Sequence, residues 1–171
     1  MPTIRAIVRY VDRLSMFVGY AVSVLCPAMV AVLAFEVIAR YIFGAPTIWA
    51  YDSAVFMFGY IGLLAGAFVQ REKSHINVDL VYSQFGKRGR AVLELISGLL
   101  IFFFLILVIL YTWEPMVSAF RHHETTSTEW AVPTGHYWLM IPLGAVLLLL
   151  QEGANWIRNL YCVLTNEELQ Q

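Results

Sequence analysis

The chain has 171 residues, of which 60% are hydrophobic and 13% are charged. Soluble domains carry about 45–50% apolar and about 25% charged residues, so this composition argues against a soluble enzyme or a disordered chain. The formal net charge of −1 offers no positive field to attract a nucleic acid. The apolar residues occur in long blocks, which is typical of membrane-spanning segments.

Four charge-free stretches are each close to the ~20 residues that a helix needs to cross a bilayer. They predict an all-α integral membrane protein, because backbone groups in lipid must form their hydrogen bonds internally. The four predicted transmembrane helices cover residues 14–38, 50–70, 92–113 and 133–157. Together they form one membrane domain over residues 14–162, and a polar tail follows over residues 163–171.

The distribution of Lys and Arg predicts the orientation of the chain. These residues cluster in residues 1–13 and in the loop over residues 71–90, whereas the other two loops contribute only Arg40 and Arg121. By the positive-inside rule, both termini and the 71–90 loop are cytoplasmic. The N-terminal segment is also amphipathic, with apolar and arginine-bearing faces, which predicts a short interfacial helix on anionic lipid. A frayed basic tail is the alternative for this segment.

Ionisable residues lie near the predicted membrane borders. Glu36 and Arg40 have the i, i+4 spacing of a helical ion pair, and Asp52 opens the second helix on the same side. These three residues are predicted to form one cluster that is a structural ion pair or anchors a partner subunit. An ion or proton site is the alternative, because ionisable groups within a membrane are costly. No charge is predicted at mid-membrane, which argues against a chain that moves a charged substrate by itself.

Small residues and histidines complete the candidate features. Gly62 and Gly66 form a small-xxx-small pair, which predicts close helix packing. His122, His123 and His136 lie beside the last outer loop, where we interpret them as polar loop residues; metal or haem ligation is the alternative. We find no catalytic motif, and we predict no catalytic residue, metal or cofactor for the chain.

Several short motifs occur in a fixed order along the chain. Glu36–Gly44 reads Glu-x-x-x-Arg-Tyr-x-Phe-Gly, and Asp52 stands where an acidic residue, often Glu, opens the second helix. Residues 75–80 read His-Ile-Asn-Val-Asp-Leu, and residues 141–144 read Ile-Pro-Leu-Gly. With these motifs the chain resembles the small, DctQ-like membrane subunit of tripartite ATP-independent periplasmic (TRAP) transporters.

This resemblance implies a non-catalytic subunit of the bacterial inner membrane. It implies two protein partners besides membrane lipid: a large membrane subunit that holds the substrate and sodium sites, and a periplasmic protein that delivers a small organic acid. It also implies uptake driven by the sodium gradient. The rival interpretations are a haem-binding anchor of a redox complex and a small multidrug exporter.

Two groups of residues carry the expected roles. The structural or subunit-interface group comprises Glu36, Arg40, Asp52, Gly62, Gly66, Arg71, His75 and Asp79. The group expected to dock the periplasmic binding protein comprises Arg121, His122, His123, Glu124 and Glu129.

Overall fold

The computed structural model describes residues 2–72 and 86–165. Its helices are α1 (Pro2–Ser23), α2 (Leu25–Tyr41), α3 (Ala50–Leu64), α4 (Gly66–Arg71), α5 (Lys87–Arg121) and α6 (Gly135–Thr165). Pro27 cannot donate to the carbonyl of Ser23, which accounts for the interruption between α1 and α2. In the described residues the only strand-type pairing is an isolated bridge between Thr125 and Pro133.

Four helical segments are long and apolar enough to cross a membrane. They are Ala6–Tyr41, Ala50–Arg71, Val92–Arg121 and Gly135–Leu164. The first joins α1 to α2, and the second joins α3 to α4. The predicted all-α fold with four membrane-spanning helices is therefore confirmed, and the chain is a multi-pass membrane protein.

Several helices extend beyond their predicted ends, including α6, which continues from the predicted end at residue 157 to Thr165. The predicted boundary at residue 13 lies inside α1, where Val8 and Val11 pack against Ala154. The apolar face of this segment is therefore covered by α6 and not only by lipid. α5 continues to Arg121 although it contains Pro115, and Met116 and Ala119 are buried just beyond the proline.

Glycines allow the second and fourth spans to approach closely. A methyl group added at Gly144 would lie 2.6 Å from the carbonyl oxygen of Leu63, and one at Gly59 would lie 2.5 Å from the Tyr137 ring. These contacts place the backbones of α3 and α6 against each other. We call the end of the bundle with residues 42–49 and 122–134 the loop end, and the opposite end the terminal end.

Candidate functional site

At the loop end, α5 extends beyond the length that a membrane requires. Its 35 residues correspond to about 52 Å of helix, against a hydrocarbon core about 30 Å thick. α5 is therefore longer than the hydrocarbon core is thick, and its last residue, Arg121, leads directly into residues 122–134. We call residues 122–134 the docking loop, because they include four of the five residues expected from the sequence to dock a binding protein.

Hydrogen bonds hold the docking loop in one shape. The backbone N–H of Thr126 donates to the Val132 carbonyl at 2.9 Å, and that of Thr134 donates to the Glu124 carbonyl at 2.8 Å. The Glu124 carboxylate accepts a bond of 2.7 Å from the Ser118 hydroxyl, which ties the loop to the last turn of α5. The loop is thus a short hairpin rather than an open connection.

A buried carboxylate fixes the docking loop to the second span. Asp52 lies in the first turn of α3, and only 4% of its surface is exposed. Its Oδ2 accepts a hydrogen bond from the Thr128 hydroxyl. Asp52 is well placed at this helix end, because negative charge is favoured near the N-terminus of a helix.

Two residues of the docking loop have left-handed backbones. His123 has φ of 50° and Ala131 has φ of 48°. His123 directly follows the C-cap residue of α5, the position where helices commonly adopt this conformation. Ala131 turns the hairpin, and its N–H donates to the Thr128 carbonyl at 3.1 Å.

The left-handed backbone of Ala131 makes the stability of the protein sensitive to the residue at this position. Ala131→Val should destabilise the protein by about 1–2 kcal/mol, because a β-branched residue tolerates positive φ poorly. Ala131→Gly should be neutral or mildly stabilising, since glycine adopts this conformation freely. Thermal unfolding of the purified variants measures both effects. Equal melting temperatures for the two variants would contradict the left-handed turn.

The residues expected to dock a binding protein are together on the surface of the loop end. All five are exposed: Arg121, His122, His123, Glu124 and Glu129. They carry both signs of charge and lie on the docking loop or at its junction with α5. The structure thus brings together one of the two groups of residues predicted from the sequence.

Glu36 and Arg40 lie at the same end on α2. They form an i, i+4 ion pair in which the Arg40 side chain is 52% exposed and the Glu36 side chain 11% exposed. The second oxygen of Glu36 accepts from the backbone N–H of Thr47 at 3.0 Å and from the Thr47 hydroxyl. Glu36 therefore holds the connection between α2 and α3 in place. The spacing of the charged residues does not predict this contact.

The predicted cluster of three ionisable residues is divided between two partners. Glu36 accepts hydrogen bonds from Arg40 and from Thr47, whereas Asp52 accepts one from Thr128. The reason is that Thr47 and Thr128 supply hydroxyl donors from two different loops. The spacing of the charged residues along the sequence does not predict which hydroxyl groups lie close to them in the folded protein.

His136 is packed inside the bundle and away from the loop surface. Its Nδ1 is 2.8 Å from the Tyr60 hydroxyl, and its ring meets Phe56 edge-on at 4.9 Å between centroids. His122 and His123 are exposed. Among the described residues no group of three or more His, Cys, Asp or Glu side chains is arranged to hold a metal ion.

The two predicted glycines face different surroundings. A methyl group at Gly66 would lie 3.1 Å from Leu148, so Gly66 packs within the bundle. At Gly62 the same methyl group would meet nothing within 4 Å. Gly59, Gly66 and Gly144 lie at close contacts between the second and fourth spans, and Gly62 faces outward.

The terminal end contains a buried polar network that sequence reasoning missed. Asp12 on α1 forms an ion pair with Arg158 on α6, and the two side chains are 10% and 15% exposed. Gln151 donates to Asp12 at 3.1 Å and accepts from Ser15 at 2.6 Å. Gln151 and Ser15 are fully buried. We call Asp12, Ser15, Gln151 and Arg158 the terminal network.

Further polar contacts beside the terminal network join α6 to the other spans. Gln70 on α4 donates to the Glu152 carboxylate, and Trp156 donates to the Leu95 carbonyl of α5 at 3.2 Å. Arg158 also donates to Asn155 at 3.0 Å. The polar residues at positions 151, 155 and 158 of α6 recur at helical spacing, and this sequence pattern would have predicted the network.

Arg71 lies at the terminal end of the second span. It forms an ion pair with Glu72, and its buried Nε has no hydrogen-bond partner among the residues that the structure describes. His75 and Asp79, which belong to the same predicted structural or subunit-interface group as Arg71, lie outside the described residues.

Comparison with known proteins agrees with this architecture. The family described as "Tripartite ATP-independent periplasmic transporters, DctQ component" matches residues 29–161. This range contains α3, α5, most of α2 and most of α6, together with the docking loop. The chain belongs to the DctQ family. This family is a component of a transporter and not a family of enzymes, which confirms the predicted resemblance and the non-enzymatic role.

Two curated relatives are similar to parts of the chain. The C4-dicarboxylate TRAP transporter small permease protein DctQ of Vibrio cholerae is 29% identical over 93 residues, which are 53% of this chain and 40% of that protein. The sialic acid TRAP transporter permease protein SiaT of Haemophilus influenzae is 24% identical over 94 residues, 55% of this chain and 15% of that protein. The matched part therefore spans less than half the length of either relative.

Proposed function

We propose that the chain is the small membrane subunit of a binding-protein-dependent importer of a small organic acid, driven by the sodium gradient. The match to the DctQ component over residues 29–161 carries this proposal. The names of the two relatives mention a C4-dicarboxylate and sialic acid, and both compounds are carboxylic acids. We therefore assign an organic acid as the class of substrate.

The partner in the membrane is a large permease subunit. The segment that resembles this chain makes up 15% of the SiaT permease, which supports stable association with a larger membrane protein. Large apolar side chains on α5, including Phe103 and Phe104 at 64% exposure each, leave ample surface for a partner or for lipid. The polar groups of the terminal network are bonded to one another, as expected of a subunit with a scaffolding role.

The loop end faces the periplasm and the terminal end faces the cytoplasm of a bacterial inner membrane. The positive-inside rule supports this orientation. The docking loop then contacts the periplasmic binding protein through Arg121, His122, His123, Glu124 and Glu129. Arg40, half exposed beside Glu36, is assigned to contact with the large subunit. Arg71, His75 and Asp79 are assigned to holding the inner loop through charge-assisted hydrogen bonds.

Co-purification tests this function. The tagged chain is extracted gently from its native membrane, and the proteins that accompany it are identified by mass spectrometry. We expect a stoichiometric membrane protein with many spans, and we expect Arg40→Ala to lower its recovery more than it changes substrate affinity. Arg13→Ala, at an exposed arginine of the opposite end, is the control and should leave recovery unchanged.

Three outcomes would contradict the proposal. One is a chain that purifies alone. Another is a purified chain with a Soret band, which would indicate a haem-binding anchor. The last is drug resistance conferred by the chain by itself, which would indicate an exporter.

A further inference from the structure

Asp52 is buried, carries a formal charge and lies beside the docking loop. A buried carboxylate is costly unless hydrogen bonds stabilise it. The hydrogen bond to Asp52 comes from Thr128, which is 76 residues away in sequence. This bond joins the start of α3 to the middle of the docking loop.

The contact continues through the docking loop as a chain of hydrogen bonds. The hydroxyl oxygens of Thr126 and Thr128 are 2.7 Å apart, and the backbone N–H of Val132 donates to the Thr126 hydroxyl oxygen at 3.0 Å. The two arms of the hairpin are thus joined by side chains as well as by the bond between Thr126 and the Val132 carbonyl.

The chemistry of the groups sets the direction of every bond in this chain. An ionised carboxylate only accepts, so the Thr128 hydroxyl must donate to Asp52. The Thr128 oxygen then accepts from the Thr126 hydroxyl, and the Thr126 oxygen accepts from Val132. Bonds aligned in this way polarise one another in the same direction. The negative charge of Asp52 therefore favours one arrangement of the loop.

We propose that Asp52 is a positioning residue that sets the conformation of the docking loop through Thr128 and Thr126. Asp52 is buried and does not itself contact the binding protein. It holds the hairpin so that Glu129 and the exposed residues beside α5 form one docking surface. This inference rests on the proposed function, in which this loop binds the periplasmic protein.

Hydrogen exchange and binding of the assembled transporter in lipid nanodiscs test the inference. Thr128→Val removes the hydroxyl and keeps the shape of the side chain, whereas Thr128→Ser keeps the hydroxyl. We expect Thr128→Val and Asp52→Ala to speed amide exchange over residues 124–134. We also expect them to weaken binding of the periplasmic protein by about tenfold, the size of effect expected for loss of one charge-assisted hydrogen bond. Thr128→Ser should stay within about twofold of the unsubstituted protein.

The matched control is Thr112→Val. The Thr112 hydroxyl donates to the Val108 carbonyl of its own helix at 2.6 Å and is not part of the loop. This variant should leave both exchange and binding unchanged. If Thr128→Val behaves like Thr128→Ser in both measurements, the positioning role of Asp52 is overturned.

Charge reversals on the loop surface separate this inference from the proposed function. If Arg121→Glu and Glu129→Lys leave binding unchanged, the docking role proposed for the loop is wrong. If they weaken binding while Thr128→Val and Asp52→Ala do not, docking stands and only the positioning role fails. Should Asp52→Ala prevent assembly, Asp52→Asn, which keeps an acceptor oxygen for Thr128, serves as the second variant. It should retain more binding than Thr128→Val, and equal loss would contradict the inference.

Discussion

Arg158→Ala is expected to lower the free energy of unfolding by about 3–5 kcal/mol. Arg158 pairs with Asp12 in the terminal network, where neither side chain is more than 15% exposed. Truncating Arg158 leaves the Asp12 carboxylate buried without its positive partner. The Gln151 amide would remain as a donor to Asp12, at 3.1 Å. The measurement is reversible unfolding of the purified chain in mixed micelles, followed by tryptophan fluorescence.

Arg13→Ala is the matched control for this prediction. Arg13 follows Asp12 directly in α1 but is exposed, so its loss should cost less than about 0.5 kcal/mol. Asp12→Ala combined with Arg158→Ala removes both charges and should recover part of the loss. A single Arg158→Ala variant as stable as Arg13→Ala would show that the ion pair does not hold α1 to α6.

Gly144→Ala is expected to destabilise the bundle by about 1–3 kcal/mol, in the range seen for overpacked cores. The added methyl group would lie 2.6 Å from the backbone carbonyl oxygen of Leu63. A backbone atom cannot turn aside as a flexible side chain can, so α3 and α6 must move apart. That separation would also weaken the contact between Tyr60 and His136, which joins the same two helices. Thermal unfolding and the recovery of the intact chain after heating measure the effect.

Gly62→Ala tests the same substitution on the outward face of α3. A methyl group there meets nothing within 4 Å, and alanine is the better helix former. The isolated chain should therefore be as stable as before or slightly more stable. If Gly62→Ala is more destabilising than Gly144→Ala in the isolated chain, α3 does not pack against α6 through Gly144.

The membrane fold was largely predictable because it depends on composition along the chain. Lipid excludes charged groups and requires backbone bonds within each segment, so four long charge-free blocks give four helices. Helix ends were less predictable. α5 passes Trp113 and Pro115 and continues to Arg121, since buried neighbours beyond the proline support it.

The candidate site was predictable only in part. The exposed residues of the docking loop are adjacent in sequence, so a single stretch of chain identified them. Glu36 and Arg40 were also found, because one helical turn separates them. The hydrogen-bond partners of Glu36 and Asp52 were missed, because they are distant in sequence. Thr47 lies 11 residues from Glu36, and Thr128 lies 76 residues from Asp52.

The sequence by itself determined the fold class, the number of spans and the family to which the chain belongs. These properties depend on local hydrophobicity and on short motifs, which are read directly along the chain. Only the tertiary structure decided which polar groups are satisfied, which glycines bring helices together and what holds the docking loop. Those properties depend on contacts between distant segments, such as Asp12 with Arg158 across 146 residues. Local sequence patterns do not encode such pairings, because many arrangements of four apolar helices are compatible with the same hydrophobic pattern.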